Sequence, residues 1–110
     1  MNKLKQILGG FLFIIVSNGS SSEITTSTVQ HHQVLISGFE FVPKVLKVSY
    51  GDTVTWVNKD IVPHNIVTRD KQLAISPSLA SGEKFIYTVK KSLSYECGFH
   101  PSMKGALVAP

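Results

Sequence analysis

A short segment near the C-terminus contains three residue types that bind soft metal ions. Cys97, His100 and Met103 follow one another with two residues between each pair, and Cys97 is the only cysteine of the chain. Thiolate and thioether sulfur favour Cu(I), whereas imidazole binds copper in both oxidation states. Two histidines, one cysteine and a weak axial methionine form the known electron-transfer arrangement for this metal. The segment therefore predicts a copper site and supplies three of its four ligands.

The fourth ligand must be a histidine from elsewhere in the chain, and the candidates are His31, His32 and His64. His64 follows Pro63 at the end of a loop and opens a strand-like run, a position that can be rigid and still face one end of a β-sandwich. We therefore expect His64 to be the ligand, with Asn65 hydrogen-bonded to the ligand loop; the alternative is a turn histidine without a partner. His31 and His32 lie in a Ser/Thr-rich stretch and are interpreted as solvated residues, with a surface metal contact as their alternative.

The first residues have the features of a secretory signal peptide. Lys3 and Lys5 form a basic start, residues 7–16 are apolar, and residues 17–22 are small and polar. The apolar run is too short for a comfortable membrane span, so an uncleaved anchor and a buried strand are the less favoured alternatives. The predicted organisation is a signal peptide at 1–22, a flexible lead-in at 23–33 and one copper-binding domain at 34–110, with no stable membrane span after cleavage.

Charge and cysteine content agree with export to the periplasm or another extracytoplasmic space. Loss of Lys3 and Lys5 with the signal would lower the formal charge from +4 to +2. No cluster of basic residues indicates nucleic-acid binding. Export leads to an oxidising compartment, where Cys97 has no disulfide partner within the chain. Metal binding would protect such a thiolate from oxidation.

The rest of the chain predicts a small all-β domain. Short apolar runs alternate with turn residues, and no segment shows sustained helical periodicity. In the clearest strand, residues 53–58, Val54 and Trp56 share one face and are expected to be core residues. We expect an antiparallel sandwich or barrel of about seven or eight strands.

The motifs together resemble the cupredoxins, or small blue copper proteins, over nearly all of residues 34–110. The equal two-residue gaps, with proline after the second histidine of the set, are most similar to the amicyanins. The resemblance rests on four segments, which are Phe39-Glu40-Phe41-Val42-Pro43, Gly51-Asp52-Thr53-Val54-Thr55-Trp56-Val57-Asn58, Pro63-His64-Asn65, and Tyr95-Glu96-Cys97 through Met103-Lys104-Gly105. One departure is Gly98-Phe99, which stands where amicyanins have Thr-Pro and predicts a less rigid ligand loop.

This resemblance implies a Greek-key β-sandwich, type 1 copper, and one-electron transfer outside the cytoplasm. It implies that the copper ligands are His64, Cys97, His100 and Met103. We expect a monomer that redox partners contact transiently near His100, Phe99 and Pro101, where plain loop packing is the alternative for the last two.

Other functions fit the sequence less well. A copper carrier or storage protein could use the same ligands, but carriers more often have open Met- or His-rich tracts. A structural zinc site is disfavoured because methionine is a poor zinc ligand. A nucleophilic pair of Cys97 and His100 would need a third, orienting group and a substrate pocket. We therefore expect an electron-transfer protein and not an enzyme.

Overall fold

The computed structural model of the chain describes residues 28–110, so the predicted signal peptide and the first part of the lead-in lie outside the described residues. Within that range, no helix is long and apolar enough to cross a membrane. The described residues form eight strands, which are β1 (His31–Ser37), β2 (Glu40–Val42), β3 (Val45–Lys47), β4 (Thr53–Asn58), β5 (Val67–Thr68), β6 (Lys84–Thr88), β7 (Leu93–Glu96) and β8 (Lys104–Val108).

The strands form two four-stranded sheets around one core, which confirms the predicted all-β sandwich. One sheet has the order β2-β1-β4-β6 and the other β3-β8-β7-β5. The expectation of an antiparallel arrangement was wrong for two of the six strand pairs, because β1 pairs with β4 and β3 with β8 in parallel. Parallel neighbours cannot be joined by a tight hairpin, so turn signals in the sequence do not predict them.

Alternation along β4 places two of its apolar residues in the core. Val54 and Trp56 are fully buried, as their spacing predicts. Trp56 meets the ring of Tyr95 from the opposite sheet edge-on, with ring centroids 5.3 Å apart. This aromatic contact joins the two sheets beneath the ligand-bearing loops.

The first strand begins earlier than the predicted domain boundary at residue 34. His31 and His32 already pair with Thr53 and Val54 of β4. The polar composition of this stretch hid the strand, because its hydrogen bonds are made by the backbone and its apolar residues begin only at Val34.

Four connections meet at one end of the sandwich. They are the β1–β2 turn at Gly38 and Phe39, the segment from Lys59 to Asn65 that follows β4, and residues 97–103 between β7 and β8. The fourth is the connection between β5 and β6, in which Leu79 forms an antiparallel bridge with His64. This end contains every residue predicted to bind the metal.

Candidate metal centre

His64 is fixed by both its backbone and its ring. Its amide donates to the Leu79 carbonyl at 3.1 Å, and its carbonyl accepts from the Leu79 amide at 2.7 Å. Its ring is fully buried, and Nε2 lies 2.9 Å from Oδ2 of Asp60. A carboxylate accepts only, so Nε2 carries the proton and Nδ1 is left with a free lone pair. That Nδ1 lies 3.5 Å from the Cys97 sulfur.

The segment that leads to His64 is organised by Asn58, the last residue of β4. Its buried side chain donates from Nδ2 to the carbonyls of Val62 and Leu79, both at 2.9 Å. Its Oδ1 accepts the amide of Asp60 at 2.9 Å. A buried amide with three hydrogen bonds holds the connection in one shape. Asn58 ends one of the motifs of the family resemblance, but no local signal indicates this role, because a polar residue at a strand end is usual.

The ligand loop is closed by its own backbone. The Cys97 amide donates to the Met103 carbonyl at 3.0 Å, and the Met103 amide donates to the His100 carbonyl at 2.9 Å. The His100 amide donates to the Cys97 carbonyl at 3.3 Å. These backbone bonds hold the three loop residues close to one another.

Asn65 ties this loop to the other strand connection, as predicted. Its Oδ1 accepts the Gly98 amide at 2.7 Å. A Cβ on Gly98 would lie 3.0 Å from that same oxygen and 3.3 Å from Cγ1 of Val67. The glycine therefore allows the close approach that the hydrogen bond needs, which offsets the looseness expected from Gly98-Phe99.

Three of the four predicted ligands place a donor atom in one small volume. The Cys97 sulfur lies 3.5 Å from Nδ1 of His64 and 3.8 Å from Nδ1 of His100, and all three donors lie within 4.8 Å of one another. A first-row metal about 2.0 Å from nitrogen and about 2.3 Å from sulfur, with a bond angle of about 110–120°, would separate each nitrogen from the sulfur by about 3.5–3.7 Å. The donor positions fit one metal ion.

Burial differs among the four predicted ligands. Cys97 and His64 are fully buried, and Met103, which belongs to the same core cluster as Cys97, is 3% exposed. His100 is partly exposed. The site is therefore closed on the protein side and reaches solvent through one imidazole.

Two residues at the site were missed by the sequence analysis, namely Phe39 and Asp60. The Phe39 ring meets the His64 and His100 rings edge-on, with centroids 5.3 Å and 5.0 Å apart. Burial by itself would raise the pKa of Asp60, but hydrogen bonds from the Phe39 and Gly38 amides and from His64 hold that pKa below its ordinary value. The sequence motif that contains Phe39 gives it no role at the metal centre, and no local signal marks Asp60.

A charged pair anchors the far side of the ligand loop. Lys104 donates to the Pro101 carbonyl at 2.7 Å and to Glu96 at 3.1 Å, and Glu96 also accepts from Gln72 at 2.9 Å. The hydrogen bonds from Gln72 and Lys104 lower the pKa of Glu96. The carboxylate next to Cys97 thus stays ionised while the lysine restrains the loop.

The other two histidines lie away from this centre. Nδ1 of His31 is 2.6 Å from the Thr53 hydroxyl, and Nε2 of His32 is 2.8 Å from Oδ2 of Asp52. Both residues are on β1, and neither belongs to the three-residue donor cluster. Tertiary packing therefore separates His64 from the two alternatives that the sequence left open.

Comparison with known proteins identifies the family. A family model described as copper binding proteins of the plastocyanin/azurin family matches residues 27–109. The chain belongs to this copper-binding family, and its cofactor is copper. The three clustered donors, with Met103 as the predicted fourth ligand, have the donor types of a type 1 copper site.

Individual relatives agree with this assignment. Amicyanin of Paracoccus denitrificans is 30% identical over 80 residues, which cover 66% of this chain and 60% of that protein. The structure of a purple cupredoxin from Nitrosopumilus maritimus superposes with a TM-score of 0.62 at 31% identity, over 72% of this chain and 99% of that one. A copper-containing nitrite reductase from Thermus scotoductus superposes with a TM-score of 0.66 at 28% identity, over 83% of this chain but 25% of its own.

Proposed function

We propose that this protein is an exported type 1 copper protein that carries single electrons between redox partners. Its copper ligands are His64, Cys97, His100 and Met103. The observation that carries the proposal is the convergence of the Cys97 sulfur and the two histidine Nδ1 atoms within 4.8 Å, on a loop closed by backbone hydrogen bonds. The similarity to amicyanin supports the carrier function.

Each residue contributes a distinct property. Cys97 would bind copper as a thiolate, because metal coordination removes the thiol proton. Asp60 holds His64 with Nδ1 directed at the sulfur. Met103 would supply the weak thioether ligand that tunes the reduction potential. Copper supplies the one-electron chemistry, and a frame that holds its ligands in place limits rearrangement between the two charge states.

Electrons leave and enter through His100. It is the one partly exposed histidine of the donor cluster, and it lies between Phe99 and Pro101, both exposed. Phe99 shows 51% of its surface to solvent. An imidazole edge surrounded by apolar side chains suits a small, transient docking surface of the kind used by redox proteins. The protein acts there as a monomer.

Two observations support export. They are the composition of residues 1–22 and the unpaired, buried thiol of Cys97. Its thiol has no partner cysteine in the chain and is fully buried among the metal donors. Burial and coordination together protect the sulfur in an oxidising compartment. We place the protein in the periplasm or an equivalent space.

The second candidate function is that of a copper carrier or storage protein, which would use the same ligands. The closed frame around Cys97 and His64 favours electron exchange over metal exchange. Measurement of the copper dissociation rate separates the two, because a carrier must release copper on the time scale of its delivery.

The test is the optical and EPR spectrum of the purified domain after addition of Cu(II). We expect an intense thiolate-to-copper charge-transfer band in the red and reversible one-electron reduction. Cys97→Ser should abolish the band, whereas His31→Gln, which removes a histidine outside the donor cluster, should retain it. A colourless copper-loaded protein, or a band that survives Cys97→Ser, would contradict the proposal.

A further inference from the structure

Phe39 has a backbone conformation that bulky residues rarely adopt. Its φ is 61°, next to Gly38 with a φ of 63°, in the two-residue turn between β1 and β2. Turns with two such residues strongly prefer glycine or asparagine, because a Cβ is strained in the left-handed region. Strain of this kind persists only where the surrounding structure over-determines it.

The side chain of Phe39 lies on the metal centre. Its ring is nearly perpendicular to the rings of both His64 and His100, at interplanar angles of 90° and 87°. The centroids of the two imidazole rings are 5.1 Å apart. Phe39 is 48% exposed, so one side of its ring covers the histidines and the other faces solvent. Edge-to-face contacts of this type are attractive and directional.

One carboxylate maintains this arrangement. Asp60 accepts the Gly38 amide at 2.7 Å through Oδ1 and the Phe39 amide at 2.9 Å through Oδ2. The same Oδ2 accepts Nε2–H of His64 at 2.9 Å. Asp60 thus holds the strained turn and one candidate ligand with three hydrogen bonds. Its side chain is only 13% exposed, so these bonds face little competition from water.

We propose that Asp60 and Phe39 form a clamp that positions the two histidine rings relative to each other. Asp60 is the positioning residue, because it sets the ring plane of His64 and the path of the turn together. Phe39 extends the restraint to His100, because its ring covers the His100 ring. The clamp keeps the imidazoles in the orientation that copper requires before the metal is present. Its role in electron transfer rests on the proposed function, whereas its effect on the rings does not.

The decisive experiment measures ring motion in the metal-free protein. Relaxation of ¹³C-labelled imidazole carbons of His64 and His100 should report ordered rings in the wild-type protein. Phe39→Gly should increase the motion of the His100 ring, although glycine relieves the backbone strain of the turn. Asp60→Asn should loosen His64 and the Gly38 and Phe39 amides together, because an amide side chain cannot accept all three hydrogen bonds. Ile61→Ser, at a neighbouring residue that is 91% exposed, is the matched control and should change neither ring.

A copper titration adds a second readout. We expect the copper affinity of Asp60→Asn to fall by about 10- to 100-fold, as is usual when the partner of a ligating histidine is lost. Unchanged relaxation of the His100 ring in Phe39→Gly would overturn the clamp. It would also be overturned if the Gly38 and Phe39 amides of Asp60→Asn were as protected from hydrogen exchange as in the wild-type protein. Either result would leave the blue copper spectrum untouched, so failure of the clamp is distinguishable from failure of the proposed function.

Discussion

At the residue scale, the surroundings of its second ring nitrogen distinguish His64 from His32. Its Nε2 is bonded to Asp60, which leaves Nδ1 3.5 Å from the Cys97 sulfur. His32 also has a carboxylate partner at Nε2, in Asp52, but lies outside the donor cluster. A carboxylate partner is therefore not sufficient, and the convergence of other donors on the second nitrogen decides the role.

Gly105, the second residue of β8, illustrates a residue whose identity is set by its neighbour. A Cβ there would lie 2.5 Å from Cζ and 2.6 Å from the hydroxyl of Tyr95, whose ring is fully buried. Burial also raises the pKa of the Tyr95 phenol to about 12, so the ring is neutral throughout the ordinary pH range. Because the Tyr95 ring is fully buried between the two sheets, it cannot move away from a methyl group added at Gly105.

We therefore expect Gly105→Ala to lower the free energy of unfolding by about 1–3 kcal/mol, the usual cost of overpacking a core. Urea denaturation of the metal-free protein measures the change. Ser94→Ala, at an exposed position of the neighbouring strand, is the control and should stay within about 0.5 kcal/mol of the wild-type protein. Equal stability of Gly105→Ala and Ser94→Ala would show that the ring can move aside.

At the scale of the element, the ligand loop owes its shape to partners on other elements. Asn65 holds Gly98, Lys104 holds the Pro101 carbonyl, and the backbone closes the loop from Cys97 to Met103. The pair Gly98-Phe99 in place of Thr-Pro thus does not by itself make the loop loose.

A second element, the start of β1, is fastened by Asp52. Its carboxylate lies 2.8 Å from His32 and accepts the Gln30 amide at 3.1 Å and the Ser49 amide at 2.9 Å. The bond with His32, followed by those with Gln30 and Ser49, lowers the pKa of Asp52 from 3.8 to about 2. The stretch interpreted as a lead-in is thereby joined to the domain.

This contact predicts an acid-dependent loss of stability. Because the pKa of Asp52 is lower in the folded protein, its contribution is complete above the ordinary value of 3.8 and is lost as the pH falls through about 2. We expect the free energy of unfolding of the metal-free protein to fall over this interval, with a shallower slope in Asp52→Asn. Asp70→Asn, at an exposed carboxylate, should keep the wild-type slope. Identical slopes for Asp52→Asn and the wild-type protein would contradict the prediction.

At the scale of the whole molecule, the metal centre joins chain segments that are far apart in sequence. Cys97 and His64 are separated by 33 residues and belong to connections that follow strands of different sheets. A metal held by both connections binds the folded chain and not the unfolded one, so its binding free energy adds to the stability of the sandwich.

Copper should therefore raise the melting temperature in a concentration-dependent way. At a free copper concentration about 100 times the dissociation constant, the expected gain is about 2.7 kcal/mol. Scanning calorimetry with and without copper measures it, and removal of copper by a chelator should reverse it. Cys97→Ser should show a much smaller rise; a rise equal to that of the wild-type protein would mean that the metal binds elsewhere.

Much of this architecture could be predicted from the order of residues. The even spacing of Cys97, His100 and Met103 indicates soft-metal chemistry because the donor types themselves set the preference for copper. Alternation around Val54 and Trp56 indicates a sheet because successive strand residues face opposite sides. The likeness to the copper-binding family follows from these local patterns, and the comparisons confirm it.

Other features were decided only by the tertiary structure. The parallel pairing of β1 with β4 and the inclusion of His31 and His32 in β1 depend on backbone hydrogen bonds between distant segments. The clamp of Asp60 and Phe39 depends on a turn conformation that local propensity disfavours. Propensity and spacing describe neighbours along the chain, whereas these features arise from groups that meet only when the two sheets close on one core.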